Sequence, residues 1–537
     1  MLKQHIVLWT ASAVLISFVM VGSGQAPAPY DLLIRNVRIV DGTGASWFRG
    51  DLAVRGDTIV AVGRVPLAEA GATINGNGQV LAPGFIDIHT HARRGILEVP
   101  TADNYTRQGV TTLIEGQDGG SPVPLAPFLA KVAAARPAAN FGMFIGQGSV
   151  RETVMGNVDR GATPAEIERM AQLVRDGMHD GAFGLSTGLF YTPGIFTPTE
   201  EIIALARAAG ELGGIHISHM RDEAARVVDS VRETIRIGQE GGLPTQVTHH
   251  KIIGAPNWGK SIETLRLIEE ARGRGVDVTV DQYPYTASST SIAAALLPKW
   301  ALEGSQAAVV KRLADPEQRG RIKQTIIDTL KYERGGGDPT KVAISSCRWD
   351  PSLAGKNLAE ITRALGKEPT LDNAAESVMQ IVERGGAQGI FHAIGEEDLE
   401  RILRFPLTMI ASDGEVTFFG KESPHPRSYG TFVRVLGLYV REKQVLRLEE
   451  AVRKMTSLPA MRLGLLDRGI IRPGMKADLV LFDPQHVRDR ATFENPHQYA
   501  EGVAMVVVNG QIIFDGKAMT GARPGRMLYG PAYAGTR

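Results

Sequence analysis

Cysteine is nearly absent from this chain: of its 537 residues, only Cys347 is a cysteine. A single cysteine cannot form an internal disulfide, even in an oxidising compartment. The same count excludes a zinc site built from several thiolates.

An excess of charge of one sign is also lacking. The chain carries 59 Lys and Arg against 58 Asp and Glu, a formal net charge of +1. Proteins that bind nucleic acid usually display clustered basic residues, so the composition gives no electrostatic reason to expect nucleic acid as a partner. The length and the 43% hydrophobic content permit a sizeable core, in two or three domains or in one large domain with a small satellite.

Long apolar runs are missing except at the N-terminus, where Ile6 to Val21 is mostly apolar. Lys3 precedes this run, and small residues follow it at positions 22–26. This order is typical of a secretory signal peptide, and about 16 apolar residues are few for a transmembrane helix. We therefore predict a signal peptide at residues 1–26 and an exported protein, periplasmic or secreted, with no membrane span after processing.

A short apolar stretch after Pro83 and Gly84 ends in two histidines, His89 and His91. Its length is that of a buried strand. Because side chains alternate along a strand, both imidazoles are expected on the same side of its end. A lone histidine is more often a surface or hydrogen-bonded core residue, but two imidazoles so placed can bind one divalent metal. The His-x-His pattern therefore predicts a metal site.

Both ends of the predicted mature chain have the pattern of short β-strands. Residues 30–80 and 476–510 are rich in β-branched residues and contain turn signals such as Asp41-Gly42. Neither segment is long enough for a core of its own. We predict one small β-sandwich domain built from residues 30–81 and 466–520.

Between these segments, at residues 82–465, strand patterns alternate with helical patterns. The strand patterns number eight, as in a (β/α)8 barrel, so we predict an α/β fold with a TIM-like barrel. The interval after the seventh strand is too long for one crossover, and an inserted subdomain is expected at about 290–400. The eight segments are residues 85–91, 109–115, 141–146, 181–186, 214–219, 245–249, 276–281 and 407–413.

Side chains that can bind metal stand at the ends of these strands. Active sites of barrel enzymes lie at the C-terminal ends of the strands. Each side chain alone has a structural explanation, but the joint pattern indicates one or two metal sites at one rim. The candidates are His89, His91, Glu115 or Asp118, His219, His249 and Asp413.

Asp413 ends the eighth strand and precedes Gly414. A carboxylate beside a metal-bound water can accept its proton and later donate it to a leaving amine. The alternative is that Asp413 caps the next helix, which is common for Ser-Asp-Gly. Its position at the rim favours the catalytic interpretation.

A lysine that could bridge two metals is missing. Many two-metal barrel hydrolases use a carboxylated lysine on the fourth strand. Here the only lysine between His91 and His219 is Lys131, in a predicted helix. A side-chain carboxylate is therefore the better candidate for a bridge.

Taken together, the motifs resemble the amidohydrolase superfamily and, within it, the N-acyl-D-amino-acid deacylase (D-aminoacylase) family. The resemblance covers nearly the whole predicted mature chain. The motifs are PGFIDIHTH at 83–91, GVTT at 109–112, SHMR at 218–221, THHK at 248–251, YPYTAS at 283–288, ASDG at 411–414, HPR at 425–427 and MTSLPA at 455–460.

The resemblance implies a zinc-dependent barrel, with one or two divalent ions, that hydrolyses the amide bond of N-acyl-D-amino acids. By position, His219 and His249 are similar to zinc ligands of the family. His89 and His91 are similar to ligands of a second, often weaker, metal position. Asp413 is similar to the catalytic acid/base.

The family also holds the carboxylate of its small-molecule substrate with basic and hydroxyl groups. An arginine suits this task because its guanidinium can bind a carboxylate through two hydrogen bonds. The matching positions are Tyr191, Lys251, Ser288 and Arg427.

The chain departs from the family pattern after the second strand. The family usually has a zinc-binding cysteine there, and in the same register this chain has Asp118. Glu115, three residues earlier, has the longer reach and is otherwise an unusual charge in a barrel strand. Either carboxylate could bridge, and an oxygen ligand could favour two metals or a metal other than zinc. Gln147 stands where a histidine is expected; both departures affect the substrate more than the hydrolytic chemistry.

The sequence therefore predicts a metal-dependent amidohydrolase acting on N-acyl-D-amino acids. A dipeptidase or a cyclic-amide hydrolase on the same barrel is the alternative activity. A barrel that has lost activity and serves as a binding protein is a third hypothesis, which the complete set of rim residues opposes.

Overall fold

The structure is a computed structural model that describes residues 29–66 and 69–535. The predicted signal peptide at residues 1–26 lies outside the described residues and stays a prediction. In the described part of the chain, no helix is both long enough and apolar enough to cross a membrane.

The described residues form twenty β-strands, numbered in chain order. They are β1 (Tyr30–Ile39), β2 (Phe48–Arg55), β3 (Thr58–Gly63), β4 (Ala70–Asn75), β5 (Val80–Pro83), β6 (Phe85–Asp87), β7 (Val110–Glu115), β8 (Asn140–Met143), β9 (Ile145–Gly146), β10 (Gly184–Gly188), β11 (Ile215–His219), β12 (Thr245–Val247), β13 (Val278–Gln282), β14 (Ala287–Ser291), β15 (Val342–Ser346), β16 (Gln388–His392), β17 (Thr408–Ile410), β18 (Leu479–Phe482), β19 (Val503–Val508) and β20 (Gln511–Phe514).

Sixteen α-helices lie in the same described ranges. They are α1 (Asp103–Thr106), α2 (Ala126–Ala135), α3 (Gln147–Met155), α4 (Pro164–His179), α5 (Thr199–Gly210), α6 (Val227–Gly241), α7 (Ser261–Gly273), α8 (Ile292–Leu296), α9 (Gln306–Ala314), α10 (Pro316–Tyr332), α11 (Leu358–Ala364), α12 (Leu371–Glu383), α13 (Glu396–Arg404), α14 (Arg427–Arg434), α15 (Leu448–Met455) and α16 (Ser457–Leu463). Short 3-10 helices lie at Ala92–Arg94, Gly194–Phe196, Ala255–Asn257, Lys299–Leu302, Pro339–Lys341 and Pro351–Leu353, and a π-helical segment, Val435–Glu442, continues α14.

A closed barrel of parallel strands forms the centre of the molecule, and the predicted TIM-like barrel is confirmed. Its order around the barrel is β6, β7, β8 with β9, β10, β11, β12, β13 and β17. β8 and β9 act as one strand, because β8 pairs with β7 and β9 pairs with β10. The barrel closes just beyond the last strand, where the Asp413 amide donates to the His89 carbonyl over 2.9 Å. This closure brings residues 324 positions apart side by side at the C-terminal rim.

The lower part of the barrel interior is apolar and tightly filled. Ile86, Ile114 and Phe144 share a buried cluster there with side chains from α16, among them Leu458. Burial of such side chains is the main favourable term in folding. The polar strand ends are thereby confined to the opposite, C-terminal rim.

Strands from both ends of the chain pair in one eight-stranded sheet, ordered β20-β19-β18-β5-β1-β2-β3, with β4 on β1. β18 joins β5 in antiparallel register, so residues near 80 and 480 become neighbours. Leu479 and Leu481 face the sheet's own core, whereas Val480 and Phe482 pack on the barrel. This alternation lets one strand bury both of its faces. The hydrogen bonds run through one continuous sheet, and the two-layer sandwich with the bounds given above stays a prediction.

The segment after β13 forms a separate layer over the C-terminal rim. β14, β16 and β15 make a three-stranded antiparallel sheet with β16 in the middle. Helices α9, α10 and α12 supply side chains to its apolar core. The segment extends to the cavities at the rim, which it lines with Ser289, Thr290, Ser345 and Gln388.

Candidate metal centre

Two groups of metal-binding side chains meet at the rim and share Asp118. Within each group, the candidate ligand atoms all lie within 4.8 Å of one another. One group is His89, His91, Asp118 and Asp413, and the other is Asp118, His219 and His249.

The carboxylate of Asp118 lies between four imidazoles. Its Oδ1 is 3.5 Å from His89 Nε2 and 3.4 Å from His249 Nε2. Its Oδ2 is 3.5 Å from His91 Nε2 and 3.4 Å from His219 Nδ1. Each oxygen therefore faces one histidine from each group, so the Asp118 carboxylate lies within reach of both groups of donors.

The residues present fit one or two divalent ions. His89 Nε2 and Asp118 Oδ1 are buried without a hydrogen-bond partner, which is costly unless another ligand satisfies them. His219 Nδ1 and His249 Nε2 are only 2.7 Å apart, so both nitrogens point to one place. Imidazole and carboxylate donors suit zinc and related transition metals.

Three residues of the site have backbone conformations in the left-handed region. Asp118, His249 and Asp413 all have positive φ, at 56°, 34° and 52°. Such conformations cost on the order of 1–3 kcal/mol each and persist where the surrounding structure enforces them. Beside Asp118, Gly119 has φ of 73°, and a Cβ there would lie 2.7 Å from the Gly188 nitrogen. The loop after β7 thus needs glycine to place Asp118 against the neighbouring strand.

The structure distinguishes the roles of the two candidate carboxylates, Glu115 and Asp118. Glu115 lies outside both groups of donor atoms. Its Oε2 accepts a hydrogen bond from the Arg93 backbone amide over 2.8 Å. Glu115 therefore holds the loop after His91, and Asp118 is the carboxylate at the centre.

Asp413 lies at the edge of the centre. Its Oδ1 is 3.0 Å from His91 Nε2, and its Oδ2 accepts a 2.7 Å hydrogen bond from Arg427 Nη1. Burial opposes ionisation of Asp413, but Arg427 and His89 outweigh it and hold the pKa of the carboxyl well below its usual range. Asp413 is therefore ionised.

Glu223, which the sequence reasoning missed, supports the second group of ligands. Its Oε1 is 3.1 Å from His249 Nδ1, and its Oε2 is 3.8 Å from His219 Nε2. The Lys251 ammonium donates to Glu223 over 2.5 Å and also lies 2.7 Å from His249 Nδ1. Burial disfavours the Glu223 carboxylate, but Lys251, His219 and His249 outweigh it and lower its pKa. The only sequence signal was its spacing of four from His219, which is weak in a loop.

Replacing Glu223 by glutamine is expected to weaken metal binding about 10- to 100-fold, because carboxylates behind ligating histidines orient the ring and raise its basicity. Competition with a chelating dye measures the affinity, and the visible spectrum of cobalt-loaded protein reports the altered ligand field. Glu233→Gln is the matched control, since Glu233 pairs with Arg221 at 2.8 Å outside the centre. Wild-type affinity and spectrum in Glu223→Gln would contradict this role.

The predicted substrate-binding residues lie around two cavities on either side of Asp413. Arg427 lines the larger one, of about 260 Å³, while Lys251 and Ser288 line a smaller one of about 10 Å³. Tyr191 lines both, and its hydroxyl hydrogen-bonds to Thr290 over 3.0 Å where the cavities adjoin. The Lys251 ammonium also contacts Glu223 and His249, and its predicted role in substrate binding stays a prediction.

Gln147, noted as a departure, lies away from this chemistry. It is buried, and its amide donates to Thr197 Oγ1 over 3.0 Å. It is not among the residues that line either cavity.

Comparison with known proteins agrees with this architecture. A D-aminoacylase from Alcaligenes xylosoxydans xylosoxydans is 38% identical, over 93% of this chain and 98% of that protein. A solved D-aminoacylase with a binuclear metal centre is 37% identical, with a TM-score of 0.78 over 93% of this chain and 100% of that one. An N-acyl-D-glutamate deacylase from Bordetella bronchiseptica, solved with zinc and a phosphonate inhibitor, is 33% identical, with a TM-score of 0.79 over 93% of this chain and 99% of that one.

The profile of the amidohydrolase family matches residues 72–514. That span contains the whole barrel, the inserted layer and every side chain of the candidate metal centre. With relatives this similar along nearly their full length, the chain belongs to the amidohydrolase family.

Proposed function

We propose that this protein is a metal-dependent hydrolase that cleaves the amide bond of N-acyl-D-amino acids, releasing a carboxylate and a D-amino acid. The observation that carries the proposal is Asp118, shared by two groups of donors, beside an ionised Asp413 that borders both cavities. The relatives that the chain resembles along nearly all their length are D-aminoacylases and an N-acyl-D-glutamate deacylase.

The proposed cofactor is zinc, as one or two ions. His219, His249 and Asp118 would hold one ion, and His89 and His91, with Asp118, the other. An ion bound there would polarise the scissile carbonyl and make a water molecule acidic enough to attack it. The relatives with a binuclear centre and with bound zinc support this choice.

Asp413 is the proposed proton carrier. Arg427 donates to Oδ2, and Oδ1, which faces the His91 and His89 Nε2 atoms at 3.0 and 3.4 Å, is the oxygen that would accept the proton of the attacking water. The same atom then donates the proton to the leaving nitrogen, which completes general base and general acid catalysis by one carboxylate.

Arg427 is the proposed partner of the carboxylate next to the scissile amide. Its guanidinium hydrogen-bonds Asp413 and lines the larger cavity at the same time. Arg427 Nη2 makes only a 3.5 Å contact, with the Ser289 carbonyl, and a substrate carboxylate bound there would place the leaving nitrogen near Asp413. Tyr191, which lines both cavities, is a second donor for the substrate.

The purified mature protein is expected to contain about one or two zinc ions per chain and to release acetate from N-acetyl-D-amino acids, with little release from the L-enantiomers. Elemental analysis and matched assays on D and L substrates measure both properties. Bound metal without cleavage of either enantiomer would contradict the substrate and favour dipeptides or cyclic amides. Protein that contains no metal and hydrolyses no acyl-amino acid would favour the inactive binding protein.

The proposed location is the periplasm or the exterior, on the basis of the N-terminal pattern at residues 1–26. Cell fractionation of a producing strain, together with determination of the N-terminus of the mature protein, tests this location.

A further inference from the structure

Arg334 is a buried cation without an anionic partner. It is only 4% exposed, and its contacts in the described part of the chain are with Ser288, Phe190 and Phe391, none of which carries a carboxylate. The other buried arginines all have such a partner. They are Arg151 with Glu201, Arg427 with Asp413, Arg462 with Asp277 and Arg468 with Asp478.

The contacts of Arg334 leave much of its hydrogen-bonding capacity unused. Nη1 donates to Ser288 Oγ over 3.2 Å, and Nε is buried without a partner. The guanidinium carbon lies 5.2 Å from the ring centre of Phe190 and 5.6 Å from that of Phe391. Aromatic faces stabilise a cation modestly, but they do not accept the remaining N–H groups.

A second basic side chain lies nearby. Lys299 Nζ is 3.5 Å from the ring centre of Phe190, the same ring that Arg334 contacts. Burial lowers the pKa of Lys299 to about 7, and its Nζ donates to the Ala294 carbonyl over 2.5 Å, so the lasting positive charge in this part of the inserted layer is that of Arg334. Removing a charge from water is expensive unless an opposite charge compensates it, so the arrangement favours an anionic ligand.

Arg334 lies within reach of the metal centre. It lines the smaller cavity together with His219, His249, Ser288 and Asp413. This cavity holds only about 10 Å³, roughly one water molecule. Tyr191 and Thr290, whose hydroxyls hydrogen-bond to each other, line both this cavity and the larger one, so a carboxylate would reach Arg334 past this pair.

We propose that Arg334, with Ser288, binds the side-chain carboxylate of the substrate, so that the preferred substrates are N-acyl-D-amino acids with an acidic side chain. Arg427, on the other side of Asp413, already suits the carboxylate next to the scissile amide. Arg334, which lines the smaller cavity, is a second cation that suits a second carboxylate, that of the substrate side chain. The inference rests on the proposed function and adds the side chain of its substrate.

The experiment compares Arg334→Met and Arg334→Lys with the wild type on N-acetyl-D-glutamate and N-acetyl-D-leucine. Hydrogen bonds to charged groups contribute about 1.5–3 kcal/mol, so kcat/KM for the glutamate substrate should fall about 10- to 100-fold in Arg334→Met. The leucine substrate should change less than about threefold, and Arg334→Lys should retain part of the glutamate activity. Arg384→Met is the matched control, since Arg384 also contacts an aromatic ring, that of Trp349, but is exposed.

An equal loss with both substrates would assign Arg334 to the α-carboxylate and overturn the side-chain assignment. Unchanged kinetics with both would overturn the binding role entirely. Calorimetric binding of both compounds to the wild type and to Arg334→Met tests the carboxylate site even if neither compound is cleaved. If the wild type cleaves neither compound but Arg334→Met binds N-acetyl-D-glutamate more weakly and N-acetyl-D-leucine equally well, the carboxylate site is supported and the proposed reaction is refuted.

Discussion

Asp413→Asn is expected to lower kcat about 100- to 10,000-fold, the contribution typical of a positioned general acid–base. The amide keeps the shape of the side chain and tolerates the left-handed backbone at this position. It cannot accept the proton of the attacking water. The loss should therefore appear in kcat, with zinc still bound by His219 and His249.

The measurement is steady-state hydrolysis of an N-acetyl-D-amino acid by the zinc-loaded variant, with metal content determined on the same sample. Asp489→Asn is the matched control, because Asp489 also pairs with an arginine, Arg434 at 2.8 Å, away from both cavities. A kcat within about tenfold of the wild type would refute the role of Asp413 as proton carrier.

Asp118→Asn is expected to weaken zinc binding more than about 100-fold, beyond the 10- to 100-fold typical of an outer partner. Its carboxylate faces all four histidines at 3.4–3.5 Å, so both groups of donors lose a shared anionic ligand. Asparagine tolerates the positive φ of 56°. The substitution therefore removes charge without adding backbone strain.

Glu115→Gln is the informative comparison for this substitution. The glutamine oxygen can still accept the hydrogen bond from the Arg93 amide, so metal affinity should stay within about threefold of the wild type. Zinc titration against a competing chelator measures both variants. Stronger loss in Glu115→Gln than in Asp118→Asn would reverse the assignment of the central carboxylate.

The barrel could be predicted from the sequence because its signals are local. Each strand is a short apolar run bounded by turn residues, and its end carries the polar side chain that the rim requires. His89, His219 and Asp413 could be placed at that rim on strand order alone. Their convergence follows from closure of the barrel, which the hydrogen bond from the Asp413 amide to the His89 carbonyl completes.

The choice between Asp118 and Glu115 could not be made from the sequence. Both are carboxylates three residues apart, and the chain leaves the strand between them. Whether a side chain reaches the centre depends on the turn through Gly116 and Gly119, whose positive φ values of 88° and 73° redirect the backbone. Such a turn is set by close contact with the neighbouring strands.

The sequence by itself determined the class of fold, the rim and the chemical types of its ligands, because periodicity and strand ends are properties of consecutive residues. Only the tertiary structure decided which charges meet. The Lys251 ammonium pairs with Glu223. Arg334, from the inserted layer, lies beside the metal centre and has no carboxylate partner among the described residues. Ion pairing depends on distances of a few ångströms between residues far apart in the chain, and folding alone sets those distances.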